Sequence, residues 1–454
     1  MRAAPRGRRF RSRALAVVGP LALLLCASTL ANAASLSASE QRIVATVDRG
    51  TPAALDLLER VVDVNSGTMN FDGVREVGRM FRAEFDALGF ATRWVDGAPF
   101  GRAGHLIARW PARGADPKGP HVLLIGHLDT VFEHDSPFQH FQRTSDSTAA
   151  GPGVCDMKGG DVVILLAMRA LKDAGLLDRL SVTVVFSGDE EKAGLPLTLA
   201  RKDLMDAAEW ADVAIGFEDG PGDPHQAVIA RRGASSWVLR TAGVPSHSSQ
   251  IFRPEVGSGA IYEAARILQA FHDSLSREPN LTLNPGVILG GTEVHFEQEQ
   301  SRGTAFGKAN VVAESTAVAG DLRTLSPEQR QRAIEVMQRI VADHPPRESG
   351  SITFEEGYPP LAPTEGNRRL LTLFDRASRD LGYGPVAASD PARAGAADVS
   401  FTAGKVEMAM DGVGLMGQGG HTVSEAGDLR TLGMNAKRVG VTLARLVGEW
   451  KGRR

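Results

Sequence analysis

Residues 121–130 read HVLLIGHLDT, a predicted apolar strand (His121–Ile125) that ends in Gly-His-Leu-Asp-Thr. Two more short apolar runs follow at Ser181–Phe186 and Val213–Phe217, and a helical stretch at Asp161–Ala174 lies between the first two strands. Runs of this kind, apolar throughout and separated by helices, are typical of parallel strands that are buried on both faces. The sequence therefore predicts an α/β fold with a mostly parallel sheet covered by helices.

The rest of the chain predicts two domains. Apolar residues three and four apart indicate amphipathic helices at Leu55–Val64 and Val74–Leu88. From Glu365 onward the sequence again predicts helices alternating with a short apolar strand. Between 235 and 355 the predicted order is strand, helix, strand, helix, strand, which suits a small α+β domain inserted into the first. The predicted division is a signal peptide at 1–33, a catalytic metal-binding domain in two parts at 34–226 and 362–454, and an inserted domain at 227–361.

The first 33 residues are predicted to be a secretory signal peptide. A basic segment up to Arg13 precedes an apolar run from Ala14 to about Ala27, and Ala31-Asn32-Ala33 matches an A-x-A cleavage site. A membrane anchor is the alternative, but the run is shorter than the ~20 residues that span a bilayer. The mature chain is therefore expected to be periplasmic or secreted, by a route (Sec or twin-arginine) that the sequence leaves open.

The charge of the predicted mature chain excludes some classes of partner. Removing the six arginines of residues 1–33 from the 51 basic residues leaves 45 against 54 acidic residues, a net charge of −9. Nucleic acid and anionic lipid both require clustered basic charge, so neither is an expected partner, and no stable membrane association is expected after signal cleavage. A small diffusible substrate is the better expectation.

Five short polar motifs are the candidates for the chemistry. They are Gly126–Thr130, Gly151–Gly160, Ser187–Glu191, Glu218-Asp219 and Gly417–His421. The first, third and fourth directly follow predicted strands, and open α/β sheets bind their ligands at the carboxyl ends of the strands. We therefore expect these polar side chains to lie close together.

The first two motifs contain groups that suit metal ions. His127 can bind a metal through one ring nitrogen while a nearby carboxylate, Asp129, orients the ring through the other nitrogen. Asp156 has two carboxylate oxygens and can bridge two cations. A phosphate-binding loop is the alternative for Gly151–Gly160, but the segment lacks the G-x-x-x-x-G-K-[ST] spacing.

The later motifs extend the set to two histidines and three carboxylates. Of the adjacent Glu190 and Glu191, one can ligate a metal while the other acts as a general base on water. Glu218 and His421 are the remaining candidate ligands. Each motif alone is weak, since an isolated pair of glutamates is usually solvated. Mixed nitrogen and oxygen donors favour zinc, with cobalt or manganese as substitutes.

The ordered motifs H-x-D-T-V, G-P-G-x-x-D-x-K-G-G, D-E-E, F-E and a late G-H resemble those of the M20 metallopeptidase family, with the carboxypeptidase G and acetylornithine-deacetylase branches as the nearest comparison. The resemblance implies two zinc ions per chain. The implied ligands are His127 and Glu218 for one ion, Glu191 and His421 for the other, and Asp156 for both. It also implies that Asp129 orients His127, and that Glu190 passes a proton from water to the leaving nitrogen.

The inserted domain of that family is a ferredoxin-like dimerisation lid, and the predicted α+β domain at 227–361 matches it. Val244–Ser248 resembles the family's G-x-x-S-H segment, which implies a homodimer in which His247 stabilises the oxyanion in the partner subunit's site. Asn310 and Arg323 match lid positions that contact the substrate, and a guanidinium can hold a carboxylate through two hydrogen bonds. An ion pair with Asp321 is the alternative for Arg323, which the alternation of side chains along a strand is expected to disfavour.

Two departures from the family pattern bear on specificity. Gly395 and Asp398 are implied substrate contacts, but their G-A-A-D segment has alanines where the family has G-G-T-D-A. Gly357-Tyr358-Pro359 stands where the carboxypeptidase G branch has G-R-P, so a cation for an acidic side chain is missing there. A preference for glutamate therefore does not carry over.

The sequence as a whole predicts an exported, homodimeric, zinc-dependent hydrolase of an amide bond next to a free carboxylate. The expected substrates are N-acyl amino acids or short peptides, cut by a carboxypeptidase or an N-acyl-amino-acid hydrolase. The alternatives are a dipeptidase or aminopeptidase of the same fold and a non-catalytic binding protein. Retention of Glu190 with every implied ligand argues against the last alternative.

Overall fold

The computed structural model describes residues 36–111, 119–298 and 301–451. The predicted signal peptide at 1–33 and its cleavage site lie outside these ranges. By their contacts, Ser35–Arg454 form a single unit. In the described part of the chain, no helix combines the length and the apolar character needed to cross a membrane.

Helices and strands are numbered here along the chain. The helices are α1 (Ala38–Val62), α2 (Phe71–Ala87), α3 (Lys158–Asp173), α4 (Leu197–Ala200), α5 (Lys202–Trp210), α6 (Ala260–Leu275), α7 (Pro327–Ala342), α8 (Glu365–Asp380) and α9 (Arg430–Glu449). The strands are β1 (Ala91–Asp96), β2 (Gly104–Trp110), β3 (His121–His127), β4 (Gln142–Arg143), β5 (Thr148–Ala150), β6 (Ser181–Ser187), β7 (Val213–Gly216), β8 (Gln226–Ala227), β9 (Gly233–Ala242), β10 (Thr282–Gly291), β11 (Glu293–Glu297), β12 (Arg302–Phe306), β13 (Ser315–Thr324), β14 (Ser349–Glu356), β15 (Ala387–Ala388), β16 (Met408–Met410), β17 (Gly417–Gln418) and β18 (Ala426–Asp428).

The central sheet has the strand order β1-β2-β6-β3-β7-β16. β6, β3, β7 and β16 run parallel, and β2 joins β6 antiparallel. In β3, Val122 and Leu124 pack into one core with α1, α3 and α9, while Leu123 and Ile125 pack into a second core with α5. Both faces of the sheet are therefore covered, and the predicted α/β fold with a mostly parallel sheet is confirmed.

A second sheet is formed within the predicted inserted segment. Its strand order is β10-β13-β9-β14, and all neighbouring strands are antiparallel. The chain order β9-α6-β10-β13-α7-β14 is that of a ferredoxin-like split βαβ motif, with the β11–β12 hairpin added between β10 and β13. Trp237 and Leu239 of β9 pack with Phe271 of α6 and Met337 of α7 in a separate core. The domain boundaries at 227 and 361 stay a prediction.

Some elements differ from the sequence-based expectation. α1 begins at Ala38, well before Leu55, and Pro52 lies inside it, although proline usually ends a helix. The sequence does not predict β1, β2 or β10. The pairing register of β10 shifts between Pro285 and Val287, so its apolar pattern is irregular. The other predicted helices and strands agree with the structure to within a few residues.

Candidate metal centre and active site

Three of the polar motifs meet at one edge of the central sheet. His127 is the last residue of β3, Glu190 and Glu191 follow β6, and Glu218 follows β7. β3 pairs in parallel with both β6 and β7, so the carboxyl ends of these three strands lie side by side. The strand order thus brings the side chains of the three motifs to one place.

A buried carboxylate that sequence reasoning missed holds the loop that carries Asp156. Glu425 is fully buried. It accepts hydrogen bonds from the backbone N–H groups of Gly153 (3.1 Å), Cys155 (3.0 Å) and Asp156 (3.2 Å). Its nearness in the sequence to His421 is the one signal that could have identified it. Glu425 therefore fixes the backbone beside a predicted ligand.

The residues that follow Asp156 anchor the start of α3. The buried Lys158 ammonium donates to the carbonyl oxygens of Val61 (2.9 Å) and Val64 (3.0 Å) at the end of α1. A Cβ on Gly160 would lie only 2.0 Å from the carbonyl oxygen of Phe217, at the end of β7. Packing therefore explains Lys158 and Gly160, the last glycine of the motif, which join the Asp156 loop to α1 and to the sheet.

His421 reaches the site from the hairpin of β17 and β18. β18 pairs antiparallel with β5, and β5 leads into the loop of Asp156. The backbone of His421 has a φ of 62°, in the left-handed region that is uncommon for residues other than glycine. Its side chain is 60% exposed. The hairpin thus places an imidazole on the open side of the cluster.

Two imidazoles and three carboxylates form one cluster around Asp156. His127 Nε2 lies 3.2 Å from Asp156 Oδ1 and 3.6 Å from Glu218 Oε1. His421 Nε2 lies 3.1 Å from Asp156 Oδ2 and 3.1 Å from Glu191 Oε2. Each oxygen of Asp156 therefore faces a different imidazole, and each imidazole has a second carboxylate beside it.

This set of donors fits divalent metal ions. Ligand atoms of His127, Asp156 and Glu191 all lie within 4.8 Å of one another, close enough to hold an ion. Buried carboxylates require a compensating positive charge, and zinc accepts mixed nitrogen and oxygen donors. Hydrogen bonds to Asp156 and Glu191 raise the pKa of His421 to about 11, because both carboxylates stabilise a positive charge at this position.

Asp129 lies beside the His127 ring with both its backbone oxygen and its carboxylate. Nδ1 of His127 lies 3.0 Å from the backbone oxygen of Asp129 and 3.5 Å from its carboxylate. The carboxylate also accepts hydrogen bonds from the Thr68 hydroxyl (2.7 Å) and from the backbone N–H groups of Glu190 (3.0 Å) and Glu191 (3.2 Å). The backbone carbonyl therefore makes the closer contact with the ring, and the carboxylate ties the end of β3 to the loop after β6.

Glu190 lies in a pocket beside the cluster. The pocket has a volume of about 200 Å³, and four of the five predicted ligands also line it. The backbone of Glu190 donates to Asp129 and accepts from the Tyr358 hydroxyl (3.1 Å). Its carboxylate has no hydrogen-bond or ion-pair partner in the described part of the chain. Burial raises the pKa of this carboxyl well above its usual value, and the charge of His127 opposes that shift.

Asp398, a predicted substrate contact, belongs instead to a buried network behind the pocket. It is 3% exposed, and its carboxylate accepts hydrogen bonds from Arg201 Nε (2.7 Å) and the Ser187 hydroxyl (2.5 Å). Arg201 also pairs with Asp189 (2.6 Å) and donates to the Tyr358 hydroxyl (2.7 Å). The predicted substrate contact is therefore not supported, because both carboxylate oxygens are engaged inside the protein.

The predicted lid residues His247, Asn310 and Arg323 do not line the pocket of their own chain. The first two lie in adjacent segments, where the Ser248 N–H donates to the Asn310 carbonyl (2.9 Å). Arg323 Nε donates to the Asp321 carboxylate (2.9 Å). The expectation that alternation along the strand disfavours this pair is wrong, because residues two apart on a strand share a face.

Gly395 does line the pocket, in a wall segment formed by residues 389–397. Its role as a substrate contact stays a prediction. Sequence reasoning missed Ser389 and Arg393 of the same wall segment and the buried Arg231, which also line the pocket. They belong to no motif, and only the fold brings them to the site.

Known proteins similar to this chain are hydrolases. Residues 123–443 match peptidase family M20/M25/M40. Carboxypeptidase G2 from Pseudomonas sp. (strain RS-16) is 24% identical over 376 residues, which cover 82% of this chain and 83% of that protein. Aminoacylase-1 from Mus musculus is 27% identical over 293 residues, which cover 60% of this chain and 66% of that protein.

Solved structures share the fold. Aminopeptidase PepT from Bacillus cereus has a TM-score of 0.66 and 18% identity, covering 88% of this chain and 99% of that one. The YXEP protein of Bacillus subtilis, a dinuclear metal-binding peptidase from the M20 family, has a TM-score of 0.62 and 14% identity, covering 89% of this chain and 99% of that one. At these identities the similarity shows the fold alone.

Proposed function

The chain belongs to peptidase family M20/M25/M40, and from this premise we propose that it is an exported di-zinc hydrolase of an amide bond next to a free carboxylate. The proposed substrates are N-acyl amino acids or short peptides. One observation carries the proposal: Asp156 lies between two imidazoles, and the adjoining pocket holds the Glu190 carboxylate, which has no partner among the described residues. The names of the relatives, a carboxypeptidase and an aminoacylase, support the substrate class. Export rests on residues 1–33 alone.

The proposed ligands divide into two groups that share Asp156. His127 and Glu218 would hold one ion with it, and Glu191 and His421 the other. When bound, two such ions supply Lewis acidity toward the substrate carbonyl and toward water. Two divalent cations would also compensate the carboxylates that line the pocket.

Glu190 is the proposed general base. Its carboxylate takes a proton from the attacking water and delivers it to the leaving nitrogen, so the amide bond breaks to give a carboxylic acid and an amine. Hydrogen bonds to Asp129 and from Tyr358 hold its backbone on both sides. The anchoring contacts thus use the main chain and leave the carboxylate available for the proton.

The proposed activity is tested with purified protein, zinc and a panel of N-acyl amino acids and dipeptides, assayed with and without a chelator. We expect hydrolysis of N-acyl amino acids that the chelator abolishes and added zinc restores. Cleavage confined to substrates with a free α-amine would establish the aminopeptidase or dipeptidase alternative. Binding of these compounds without any hydrolysis would leave the non-catalytic alternative.

We also propose a homodimer joined through the inserted segment. Five of the nine exposed large apolar side chains that the structure describes lie in this segment; they are Phe252, Ile261, Tyr262, Ile288 and Phe306. β10, which carries Ile288, is an edge strand of its sheet, and an edge strand offers unpaired backbone groups to another chain. An exposed apolar surface beside such an edge is typical of a protein–protein interface.

The homodimer proposal predicts complementation between two inactive variants. If His247 acts in the partner subunit's site, the Glu190→Gln and His247→Ala homodimers should each be nearly inactive. Random exchange of subunits should then restore about a quarter of full activity, since half of the dimers are mixed and each mixed dimer has one intact site. Activity is measured after exchange has been verified by native mass spectrometry. No recovery despite exchange would contradict a role for His247 across the dimer.

A further inference from the structure

The wall segment at 389–397 carries two polar groups without partners. Arg393 is exposed and lines the pocket, and in the described part of the chain its guanidinium has no hydrogen-bond or ion-pair partner. Ser389 lines the same pocket, is 7% exposed, and its hydroxyl oxygen is buried without a hydrogen-bond partner. Buried polar groups are nearly always hydrogen-bonded, so this hydroxyl is available to a polar group of a ligand that enters the pocket.

The backbone around these two residues is held in place by other residues. Arg231 Nη1 donates to the Gly395 carbonyl (2.8 Å), and Arg232 Nη2 donates to the Ala392 carbonyl (3.1 Å). The Ser389 N–H donates to the Ala227 carbonyl (2.9 Å). Contacts on both sides of Arg393 therefore fix the wall before any ligand binds, which lowers the entropic cost of binding.

The other arginine that lines the pocket and the arginine that the sequence assigns to the substrate already have anionic partners. Arg231 lines the pocket, but it pairs with Asp411 (2.8 Å). Arg323, the cation that the sequence assigns to the substrate, pairs with Asp321. No hydrogen bond or ion pair joins Asp223 to Arg393 in the described part of the chain; hydrogen bonds from His225 and Gln226 lower the pKa of Asp223, and the charge of Arg393 adds to that shift. Within the described ranges, Arg393 is therefore the cation of the pocket wall that is free to bind an anion.

We propose that Arg393 and Ser389 form a subsite for a carboxylate of the substrate. The guanidinium offers two parallel N–H donors that match the two carboxylate oxygens, and the hydroxyl offers a third donor. The carboxylate belongs either to the main chain of the leaving amino acid or to an acidic side chain. This inference rests on the proposed function, because it assigns a residue to the carboxylate that the proposed substrate carries.

The test measures binding, so that it does not depend on turnover. Zinc-loaded Glu190→Gln protein is titrated by calorimetry with N-acetylglutamine, its carboxamide and N-acetylglutamate. The carboxamide lacks the main-chain carboxylate, and N-acetylglutamate adds a side-chain carboxylate. Charge-assisted hydrogen bonds predict that the carboxylate which uses the subsite improves binding by ~10- to 100-fold over its neutral counterpart.

Arg393→Ala, introduced into this protein, should remove that preference. Arg393→Lys should restore it in part, because lysine keeps the charge but not the fork of donors. Arg42→Ala, an exposed arginine of α1, is the matched control and should change nothing. Ser389→Ala should weaken the preference without lowering the melting temperature, because it removes a hydroxyl that has no hydrogen-bond partner in the described part of the chain.

The source of the carboxylate follows from which ratio changes. Collapse of the acid-to-carboxamide ratio assigns the subsite to the main chain, and collapse of the glutamate-to-glutamine ratio assigns it to the side chain. The proposal is overturned if neither ratio changes in Arg393→Ala, if Arg323→Ala alone removes the preference, or if Glu190→Gln protein binds no carboxylate better than its amide. Binding with the expected ratios but no hydrolysis by the wild type would contradict the proposed function and still support the subsite.

Discussion

Glu190→Gln is expected to lower the turnover of an N-acyl amino acid by about 10²- to 10⁴-fold while the metal content stays unchanged. General acid–base catalysis by a positioned side chain is worth roughly this factor. The carboxylates of Asp156, Glu191 and Glu218 each lie within 3.6 Å of an imidazole nitrogen, whereas that of Glu190 has no partner in the described part of the chain. Glutamine has the same size but takes no proton, so the variant removes the base and keeps the cluster.

The adjacent Glu191→Gln is the matched control for this prediction. Glu191 Oε2 lies 3.1 Å from His421 Nε2, so this variant should lose metal as well as activity. Metal per chain is measured by plasma mass spectrometry and turnover in zinc-saturated buffer. Near-normal turnover of Glu190→Gln would show that the base assignment is wrong, and loss of metal from that variant would make Glu190 a ligand.

Asp156→Ala is expected to lose both metal ions and all hydrolysis that depends on them. The two oxygens of this one residue lie 3.2 Å from His127 Nε2 and 3.1 Å from His421 Nε2. Removing the side chain therefore takes a ligand from each proposed metal position, whereas loss of any other ligand affects one. The loss of activity should be at least as large as that of Glu190→Gln.

Metal content and thermal unfolding together check this result. The wild type should melt at a lower temperature after chelation, because a ligand that binds only the folded state stabilises it. The melting temperature of Asp156→Ala should not respond to the chelator. Asp219→Asn, a carboxyl that lines the same pocket but is not a proposed ligand, should keep its metal. One ion retained per chain in Asp156→Ala would disprove the bridging role.

Much of the site at the edge of the central sheet could be predicted, because it depends on the sequence pattern of single strands and on the direction in which they run. Apolar runs without alternation show that β3, β6 and β7 are buried, and parallel strands present their carboxyl ends together. His127 and Glu218 follow such runs directly, so their meeting needs no knowledge of the packing. Asp156 and His421 follow no such run; their donor chemistry made them candidates, and the resemblance to known motifs implied the ion that each would hold.

The supporting residues could not be predicted because their partners are far away in the sequence. The loop of Asp156 is held by Glu425, and Asp398 pairs with Arg201 across 197 positions. A sequence motif does not show whether its carboxylate contacts the substrate or a buried arginine. The choice depends on which helix and which strand end pack beside it, and those are tertiary contacts.

The sequence by itself determined the α/β class, the presence of an inserted α+β segment and the clustering of polar groups at strand ends, because backbone periodicity and strand direction are local properties. Only the tertiary structure decided which charged groups remain free in the pocket. Arg323 is neutralised by Asp321 on the same strand face, while the Arg393 guanidinium has no ion-pair partner among the residues that the structure describes. A charged side chain pairs with the opposite charge that folding brings nearest, and that distance exists only once the chain has folded.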